Sequence, residues 1–386
     1  MKKLLLIAVM ALLMLMLFGC AAHQSDDPIY KARVQSLIDE SYHDEAQGKY
    51  YRMQHLTLKM LDGPLEGNIV ESEVFIDAMN YPELALYRVG DTVEAFVVFT
   101  EAGDVDYVSV HTLVRAPYAL ILAVLFVVLL ALVSGRKSIK TILALVFTIS
   151  AVVFVLVPLL ALGYNPIIAA MLVCIIVTVF TLISVGGFNK KSLSAILGTA
   201  GGLFCATVVT LVFSALMRIS GIDTPAVEML MIIETDVVFN YQGILTAGIL
   251  IGCIGAVMDV GMSISSSVNE MHTIDPQISR SKLLHAGMRV GRDIIGTMAN
   301  TLILAYTGGT IMMMVAWQVY GVSYADMLNK GFILIEVAKS LCGSIGMVMT
   351  IPLTAFISAR MITAHTGGGD PDMRTPADAV TPLPQD

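Results

Sequence analysis

Seven long apolar segments determine what this chain can fold into. Each has about 20 or more residues with few charges, which is the length that a helix needs to cross a hydrocarbon core about 30 Å thick. The segments lie at about residues 117–135, 140–162, 166–187, 193–217, 242–264, 295–317 and 332–358. Because a membrane span must satisfy its own backbone hydrogen bonds, we predict a mainly α, polytopic helical membrane protein, with residues 116–364 as a seven-helix transmembrane domain.

Composition supports this class and excludes others. The chain has 386 residues, of which 56 % are hydrophobic and only 14 % are charged, whereas soluble domains carry roughly 25 % charged residues. The formal net charge is -8, and no basic stripe is present. We therefore expect the lipid bilayer to be a partner of this chain and a nucleic acid not to be one.

An eighth apolar segment opens the chain. It covers residues 4–18, follows two lysines, and is short for an ordinary span, so we predict that residues 1–20 are a signal peptide or a signal anchor. The stretch that ends at Cys20 resembles a lipobox, and lipidation of Cys20 is the alternative to an uncleaved anchor. A retained anchor brings the number of spans to about eight, and in both cases the next segment is exported.

Residues 21–115 are the only sizeable polar stretch and are predicted to be an extracytoplasmic domain. Its first part, about residues 30–51, is predicted to be a helical linker. Beyond it, alternating apolar and polar residues bounded by glycine and aspartate predict the short strands of a small β-barrel or sandwich. These alternating runs are residues 55–61, 68–76, 88–99 and 107–114.

The connections between the spans predict orientation and two surface helices. Lysine and arginine concentrate in alternate short loops, so the C-terminus is expected to be cytoplasmic. The tail, residues 365–386, is rich in proline, glycine and aspartate and is predicted to be disordered. A short membrane-surface or re-entrant helix is predicted after Pro225, and a surface helix within the loop of residues 271–292.

One span carries a stripe of small and ionisable residues. Asp259 lies in GAVMDVGMSISSSVNE, residues 255–270, and helical spacing places Ser263 and Ser266 on its face. An ionised side chain at mid-bilayer costs about 2.5–3.5 kcal/mol and normally faces the bundle interior or a water-filled cavity. Asp259 is therefore either part of a proton or cation path or a packing residue that holds helices together.

The next two spans carry further polar residues. Thr297 and Asn300 lie near one face of GRDIIGTMANTLILAYTGG and are candidate hydrogen-bonding neighbours of Asp259. Glu336 and Lys339 are spaced i, i+3 and can form an intramembrane ion pair. Other charges are predicted at the cytoplasmic membrane interface, where charge costs little and a structural role is favoured. They are Glu270, Arg292 and Asp293.

Sequence motifs give no support for catalysis. The chain contains no GxGxxG, P-loop, HExxH or GxSxG motif, and its five cysteines form no CxxC pair. We therefore expect no enzymatic activity, no cofactor and no metal site.

Three ordered motifs resemble the YibE/F family of bacterial multispanning membrane proteins. They are GAVMDVGMSISSSVNE, GRDIIGTMANTLILAYTGG and EVAKSLCGSIGMVMTIPLTA. The resemblance covers residues 115–361, and the anchor and exported β-rich domain ahead of it look like the YibE type. It implies a multi-pass protein of the bacterial plasma membrane whose activity and substrate are not established, and it carries over no catalytic residues.

Two functions are compatible with these features. In the first, the chain is an ion-coupled transporter or permease in which Asp259 cycles its protonation or binds a cation. Its partners are then an unknown small solute or ion and, as a further candidate, a sequence-related membrane subunit. In the second, the chain is a non-transporting scaffold or sensor that recognises a partner through its extracytoplasmic domain. We favour the transporter, because the polar residues of the candidate site lie within the predicted spans.

Overall fold

The computed structural model describes residues 29–44, 49–77, 86–100, 104–135, 138–222, 224–233 and 237–363. Residues 1–20, with Cys20, and the tail of residues 365–386 lie outside this part of the chain. The chain divides into two compact units, Met1–Arg136 and Lys137–Asp386. The first contains a five-stranded sheet and one long helix, and the second contains the remaining helices.

The strands of the first unit form one antiparallel sheet in the order β3-β2-β1-β4-β5. They are β1 (Ile29–Asp44), β2 (Lys49–Met60), β3 (Ile69–Asp77), β4 (Thr92–Phe99) and β5 (Val105–Leu113). The long strand β1 pairs with β4 near its start and with β2 along most of its length. The edge strands β3 and β5 approach each other, so the sheet curls into a partly open five-stranded barrel of the OB type.

Alternating apolar residues fill the barrel. On β4, Val93, Ala95 and Val97 are fully buried, and the residues between them are half-exposed. Leu56 and Leu58 of β2 close the same core. Each fully buried aliphatic side chain of this size contributes roughly 1.5–3 kcal/mol, so the period-two pattern accounts for both the strands and their register.

The predicted helical linker at residues 30–51 is wrong, because residues 30–44 belong to β1 and residues 49–51 begin β2. The pairing register of β1 shifts between Val34 and Ser36, as it does at a β-bulge. The buried positions are Ala32 and Val34 before the shift, and Leu37 is the next inward-facing residue. The spacing between buried residues therefore changes from two to three, which hides the strand pattern in the sequence. Pairing with β2 and β4 stabilises β1 as a strand despite this irregularity.

Seven of the described helices are long and apolar enough to cross a membrane. They are α1 (Ala116–Ser134), α2 (Ser138–Ala161), α3 (Pro166–Gly186), α4 (Lys190–Leu216), α6 (Tyr241–Ile274), α7 (Arg280–Val319) and α9 (Gly331–Thr363). Two short helices are α5 (Pro225–Ile232) and α8 (Tyr324–Leu328). The predicted class, a polytopic helical membrane protein with a small β domain, is confirmed.

Polar caps fix where several helices begin. The side chains of Asn165, Asn189 and Asn240 accept hydrogen bonds from backbone amides in the first turns of α3, α4 and α6. Ser279 does the same for α7. Each cap satisfies an amide that has no partner within its helix and contributes about 1 kcal/mol. The short helix predicted after Pro225 is present as α5.

The predicted loop at residues 271–292 is wrong, and the helix predicted within it is present but is not a separate surface helix. Helix α6 continues to Ile274, and α7 begins at Arg280 and runs for 40 residues without interruption. A helix of this length spans about 60 Å, so α7 is much longer than a hydrocarbon core is thick. The charged residues that end the apolar pattern near position 292 lie on the exposed side of a continuing helix and do not terminate it.

Helix α9 is the centre of the second unit and packs against α4, α6 and α7. Its contact with α4 is close because Gly198 and Gly202 lie directly against Thr354 and Thr350. A Cβ atom added at Gly198 would overlap the hydroxyl and the backbone of Thr354. Small residues permit this close approach between the two helices. Close packing matters in a membrane, because an apolar side chain gains little hydrophobic free energy by moving from lipid to protein.

Candidate functional site

Helix α6 has two chemically different faces. Its apolar face, which includes Ile254, Val257 and Ile264, is buried in the core of the second unit. On the opposite face, Asp259 and Ser263 are exposed. Helical spacing groups the polar residues as the sequence indicates, but in the single chain their face is open and does not point into the bundle.

The carboxylate of Asp259 makes no hydrogen bond and no ion pair within the described part of the chain. One turn away, Gly255 has open space where a side chain would lie. An ionised carboxylate facing lipid tails costs about 2.5–3.5 kcal/mol on an insertion scale, and this cost falls where water reaches the group. The open face of α6 is therefore suited to contact with water, an ion or another polar surface.

The serines that follow Asp259 have different roles. Ser263 is exposed, and its carbonyl oxygen accepts a hydrogen bond of 2.9 Å from the Ser267 hydroxyl. Ser266 is half-buried. Ser265, which the sequence pattern did not single out, is fully buried and donates to the backbone carbonyl of Lys191 at 2.7 Å. Ser265 thus joins α6 to the start of α4, while Ser263 remains available on the open face.

Helix α7 presents its own polar residues on an open surface. Thr297 and Asn300 are exposed, and the Thr297 hydroxyl donates to the carbonyl of Ile294 at 2.9 Å. No hydrogen bond among the described residues joins Asp259 to Thr297 or Asn300. The polar residues of the two helices are therefore not sealed against each other, and hydrogen-bonding capacity is left on both.

The contacts between α6 and α7 are made elsewhere on the two helices. Gly287 of α7 packs against Ile264 and Val268. Toward the other end, the hydroxyl of Tyr306 lies against Gly252, two turns from Asp259 on the same face. The sequence analysis did not single out Tyr306. A tyrosine within an apolar span nevertheless indicates a polar contact, because its hydroxyl needs a polar environment.

Glu336 and Lys339 form an ion pair on α9. The Lys339 Nζ donates to Glu336 Oε1 at 2.5 Å, and the two side chains are only 24 % and 17 % exposed. One turn further, Gly343 packs against Cys253 and Leu302. Because both charges are largely removed from solvent and compensate each other, neither is left as an unpaired buried charge.

The three charges predicted at the membrane interface do not form a cluster. Glu270 near the end of α6, and Arg292 and Asp293 on α7, are all exposed. In the described part of the chain, they make no ion pair with one another. No group of three or more histidine, cysteine, aspartate or glutamate side chains that could hold a metal ion occurs among the described residues either.

Comparison with known proteins places this helical unit in a family. The family model described as YibE/F-like protein matches residues 122–364, which is more than half of the chain. The match begins within α1 and ends one residue after α9, so it includes Asp259, Asn300 and the Glu336–Lys339 pair. Neither a curated protein nor a solved structure matches the chain. The protein is a multi-helix membrane protein that belongs to the YibE/F-like family.

Proposed function

We propose that this protein is an ion-coupled transporter or permease in which Asp259 binds the coupling proton or cation. The observation that carries the proposal is an unpaired carboxylate on the open face of α6, within a helix long and apolar enough to span a membrane. Ionisable residues in such helices are expensive and usually mark ion or substrate paths. The proposal assigns no catalytic step to the chain.

The neighbouring polar groups support this role for Asp259. Ser263 and Ser266 on α6 and Thr297 and Asn300 on α7 can supply oxygen and amide groups to an ion or a small solute. In the proposal, water reaches this face, and the carboxylate alternates between a neutral and an ion-bound or charged state. A sequence-related membrane subunit would border the same face, leaving a hydrated path between the two proteins.

The orientation that we propose follows from positive charge. Lys190 and Lys191 lie at the start of α4, and Arg280 and Lys282 lie at the start of α7. By the positive-inside rule, these helix ends are cytoplasmic in a bacterial plasma membrane. In the proposal, α1, α2 and α3 each cross the membrane before α4, and the β-barrel is therefore extracytoplasmic.

A transport assay with Asp259→Asn tests the proposal. The protein is reconstituted into liposomes that contain a pH-sensitive dye for protons or a sodium-sensitive dye for sodium. Proton or sodium gradients are imposed, with potassium and valinomycin setting the membrane potential. We expect wild-type protein to move protons or sodium above the rate of empty liposomes, and Asp259→Asn to lose at least about 90 % of this flux. This loss corresponds to about 1.4 kcal/mol or more in the rate-limiting barrier.

Asp275→Asn is the matched control, because it removes an exposed carboxylate from the connection between α6 and α7, and asparagine can still accept the hydrogen bond from the Gln277 backbone amide. It should keep wild-type flux at equal amounts of reconstituted protein. A wild-type flux no greater than that of empty liposomes, or an Asp259→Asn variant as active as wild type, contradicts the proposal.

A sensor or scaffold is the second candidate function, and one observation favours it. A groove of about 750 Å³ lies in the β-barrel unit, which is large enough for a small ligand. In this alternative, Asp259→Asn leaves cellular function intact, whereas substitutions in the groove abolish it. The same set of variants therefore separates the two candidates.

A further inference from the structure

The first turns of α7 carry basic residues on one face, which we call the basic stripe. It consists of Lys282, His285, Arg289 and Arg292. They are spaced three, four and three positions apart, so helical geometry places them on one side of α7, and all of them are exposed. Gly287 and Gly291, on the opposite side, pack against Ala355 and Ile351 of α9. The basic stripe therefore faces away from the helical bundle.

The cations of the basic stripe are not neutralised by the described residues around them. Lys282, Arg289 and Arg292 form no ion pair within the described part of the chain. Asp293 lies beside one end of the stripe, and it too is exposed and forms no ion pair there. A row of unpaired cations creates a positive potential that attracts anionic groups. The stripe is therefore suited to a partner that carries several negative charges.

The direction of the basic stripe limits what can cover it. Lys282 and Arg292 are ten positions apart, so the stripe extends for about 15 Å along the axis of α7. The apolar part of α7 begins at Ile294, and the stripe therefore runs away from the membrane. A lipid headgroup would contact only the end near Arg292, whereas an extended acidic chain can follow the whole stripe.

Helix α9 brings an acidic segment of this chain to the start of α7. The helix ends at Thr363, and Arg280 Nε, in the first turn of α7, donates to Thr363 Oγ1 at 3.4 Å. Residues 364–386 continue the chain from this point and lie outside the described residues. By sequence they contain one arginine, Arg374, and four aspartates. The aspartates are Asp370, Asp372, Asp378 and Asp386. Their excess of negative charge complements the basic stripe.

The acidic segment is long enough to reach the basic stripe. From Thr363 it must pass around α7, which has a diameter of about 10–12 Å, so the path to the far side takes about 15–20 Å. An extended chain advances about 3.3 Å per residue, so Asp372, nine residues after Thr363, can lie up to about 30 Å away. Asp378 is six residues further and can reach about 50 Å. Lys282 and Arg289 are within these limits.

We propose that the basic stripe is the docking surface for the acidic segment of residues 364–386, whose aspartates pair with Lys282, Arg289 and Arg292. Gly296 and Asn300 continue the same face of α7, so the docked segment ends where the open polar face of this helix begins. Docking does not depend on whether the proposed ion site binds an ion. The two proposals can therefore fail separately, and each has its own test.

Quenching of a bimane dye by tryptophan tests the docking in the full-length chain. In a variant without cysteines, His285→Cys carries the dye in the middle of the stripe, and Met373→Trp places the quencher beside Asp372. The natural Trp317 is the only other tryptophan and lies 32 positions along α7, about 48 Å away. In nanodiscs of phosphatidylcholine, which has no net charge, we expect Met373→Trp to remove about half or more of the dye fluorescence, because a tethered segment has a high effective concentration.

A second dye position separates docking from mere proximity. Gln277→Cys places the dye on an exposed residue three positions before α7, at the end where Arg280 contacts Thr363. An acidic segment that does not dock meets this position at least as often as position 285, which lies on the far side of α7. Docking predicts stronger quenching at His285→Cys than at Gln277→Cys. The difference should disappear as salt is raised to about 1 M, where the Debye length is about 3 Å.

Charge reversals identify the partners. Lys282→Glu with Arg289→Glu should abolish the quenching at position 285, and so should Asp370→Lys with Asp372→Lys. All four substitutions together should restore it, because the charges are again opposite. Lys140→Glu reverses an exposed lysine on α2 and is the control that should leave the quenching unchanged. The thermal unfolding of each variant is measured to show that the helical unit is folded.

Three results would overturn the proposal. The first is quenching at His285→Cys that is no stronger than at Gln277→Cys at low salt. The second is quenching that reversal of the stripe leaves unchanged in folded protein. The third is quenching that is lost when phosphatidylglycerol replaces part of the phosphatidylcholine at low salt, which would assign the stripe to anionic lipid headgroups.

Discussion

Two acidic side chains within the apolar helices differ in their partners. Glu336 is paired with Lys339 at 2.5 Å and is largely buried, whereas Asp259 is open and has no partner among the described residues. A buried charge whose partner is one turn away has a structural explanation. An unpaired carboxylate has no such explanation within the single chain, which is why Asp259, and not Glu336, carries the proposed function.

A third acid, Asp39 on β1, gives the barrel a measurable pH dependence. The side chain of Arg52 donates two hydrogen bonds to the Asp39 carboxylate, at 2.7 Å and 2.9 Å. This contact lowers the pKa of Asp39 below its ordinary value of 3.8. A pKa that is lower in the folded state means that the contact stabilises the barrel above about pH 4 and is lost as the pH falls through the folded-state value.

We therefore expect Asp39→Asn to lower the free energy of barrel unfolding at pH 7 by less than about 1 kcal/mol, because the pair is partly exposed. The difference from wild type should shrink steadily below pH 4. Calorimetric unfolding of the full-length protein in detergent at pH 7 and pH 3 measures both quantities. Asp104→Asn, in an exposed turn, is the control, and an equal loss at the two pH values would contradict the assignment.

At the residue scale, the sequence predicted which side chains share a face but not where that face points. Asp259 and Ser263 are four residues apart, so helical geometry alone places them together. Whether their face meets other helices depends on where α4, α7 and α9 pack, and this depends on long-range contacts that spacing does not encode. For the same reason, Tyr306 and Ser265 were missed, because their contacts are made with other helices.

At the scale of elements, the packing of α4 on α9 depends on glycines, which have no side chain at the contact. A methyl group at Gly198 would overlap Thr354, including its backbone, whereas Gly296 on α7 has open space. We expect Gly198→Ala to destabilise the helical unit by about 1–3 kcal/mol, the usual cost of overpacking. Gly296→Ala is the matched control and should be neutral or stabilising, since alanine favours a helix over glycine.

Thermal unfolding of the two glycine variants in the same detergent measures this difference. If the two variants unfold at the same temperature, then the contact between Gly198 and Thr354 is not as close as the structure has it. The comparison is informative because the chemical change is the same in both helices and only the surroundings differ.

The sequence predicted element boundaries correctly where a local signal marks them, and incorrectly where no such signal exists. The beginning of α3 at Pro166 is set by the cap at Asn165, and apolar length alone predicted each of the seven described spans. Strand β1 was missed because the register shift after Val34 breaks its alternation. The length of α7 was missed because its first turns are charged and lack the apolar pattern that marks a span. These turns are helical because they continue a long helix that is already formed.

At the scale of the whole molecule, the two units differ in what supports a function. The family match lies at residues 122–364 and so begins after the barrel. The helical unit contains the open polar face with Asp259, and the barrel contains a groove of about 750 Å³. The two surfaces belong to different units of the chain, so substitutions in one unit alone test each of them.

The claim on which this account depends is that water reaches the face of α6 that carries Asp259. In a variant without cysteines, Ser263→Cys is introduced on this face, and Leu172→Cys is introduced at an exposed apolar position of α3 as the control for a lipid-facing thiol. Both are treated in native membranes with a charged, water-soluble thiosulfonate, which reacts with thiols that are hydrated and ionised. We predict rapid modification of Ser263→Cys and little of Leu172→Cys. Equal and slow modification at both positions would contradict the account.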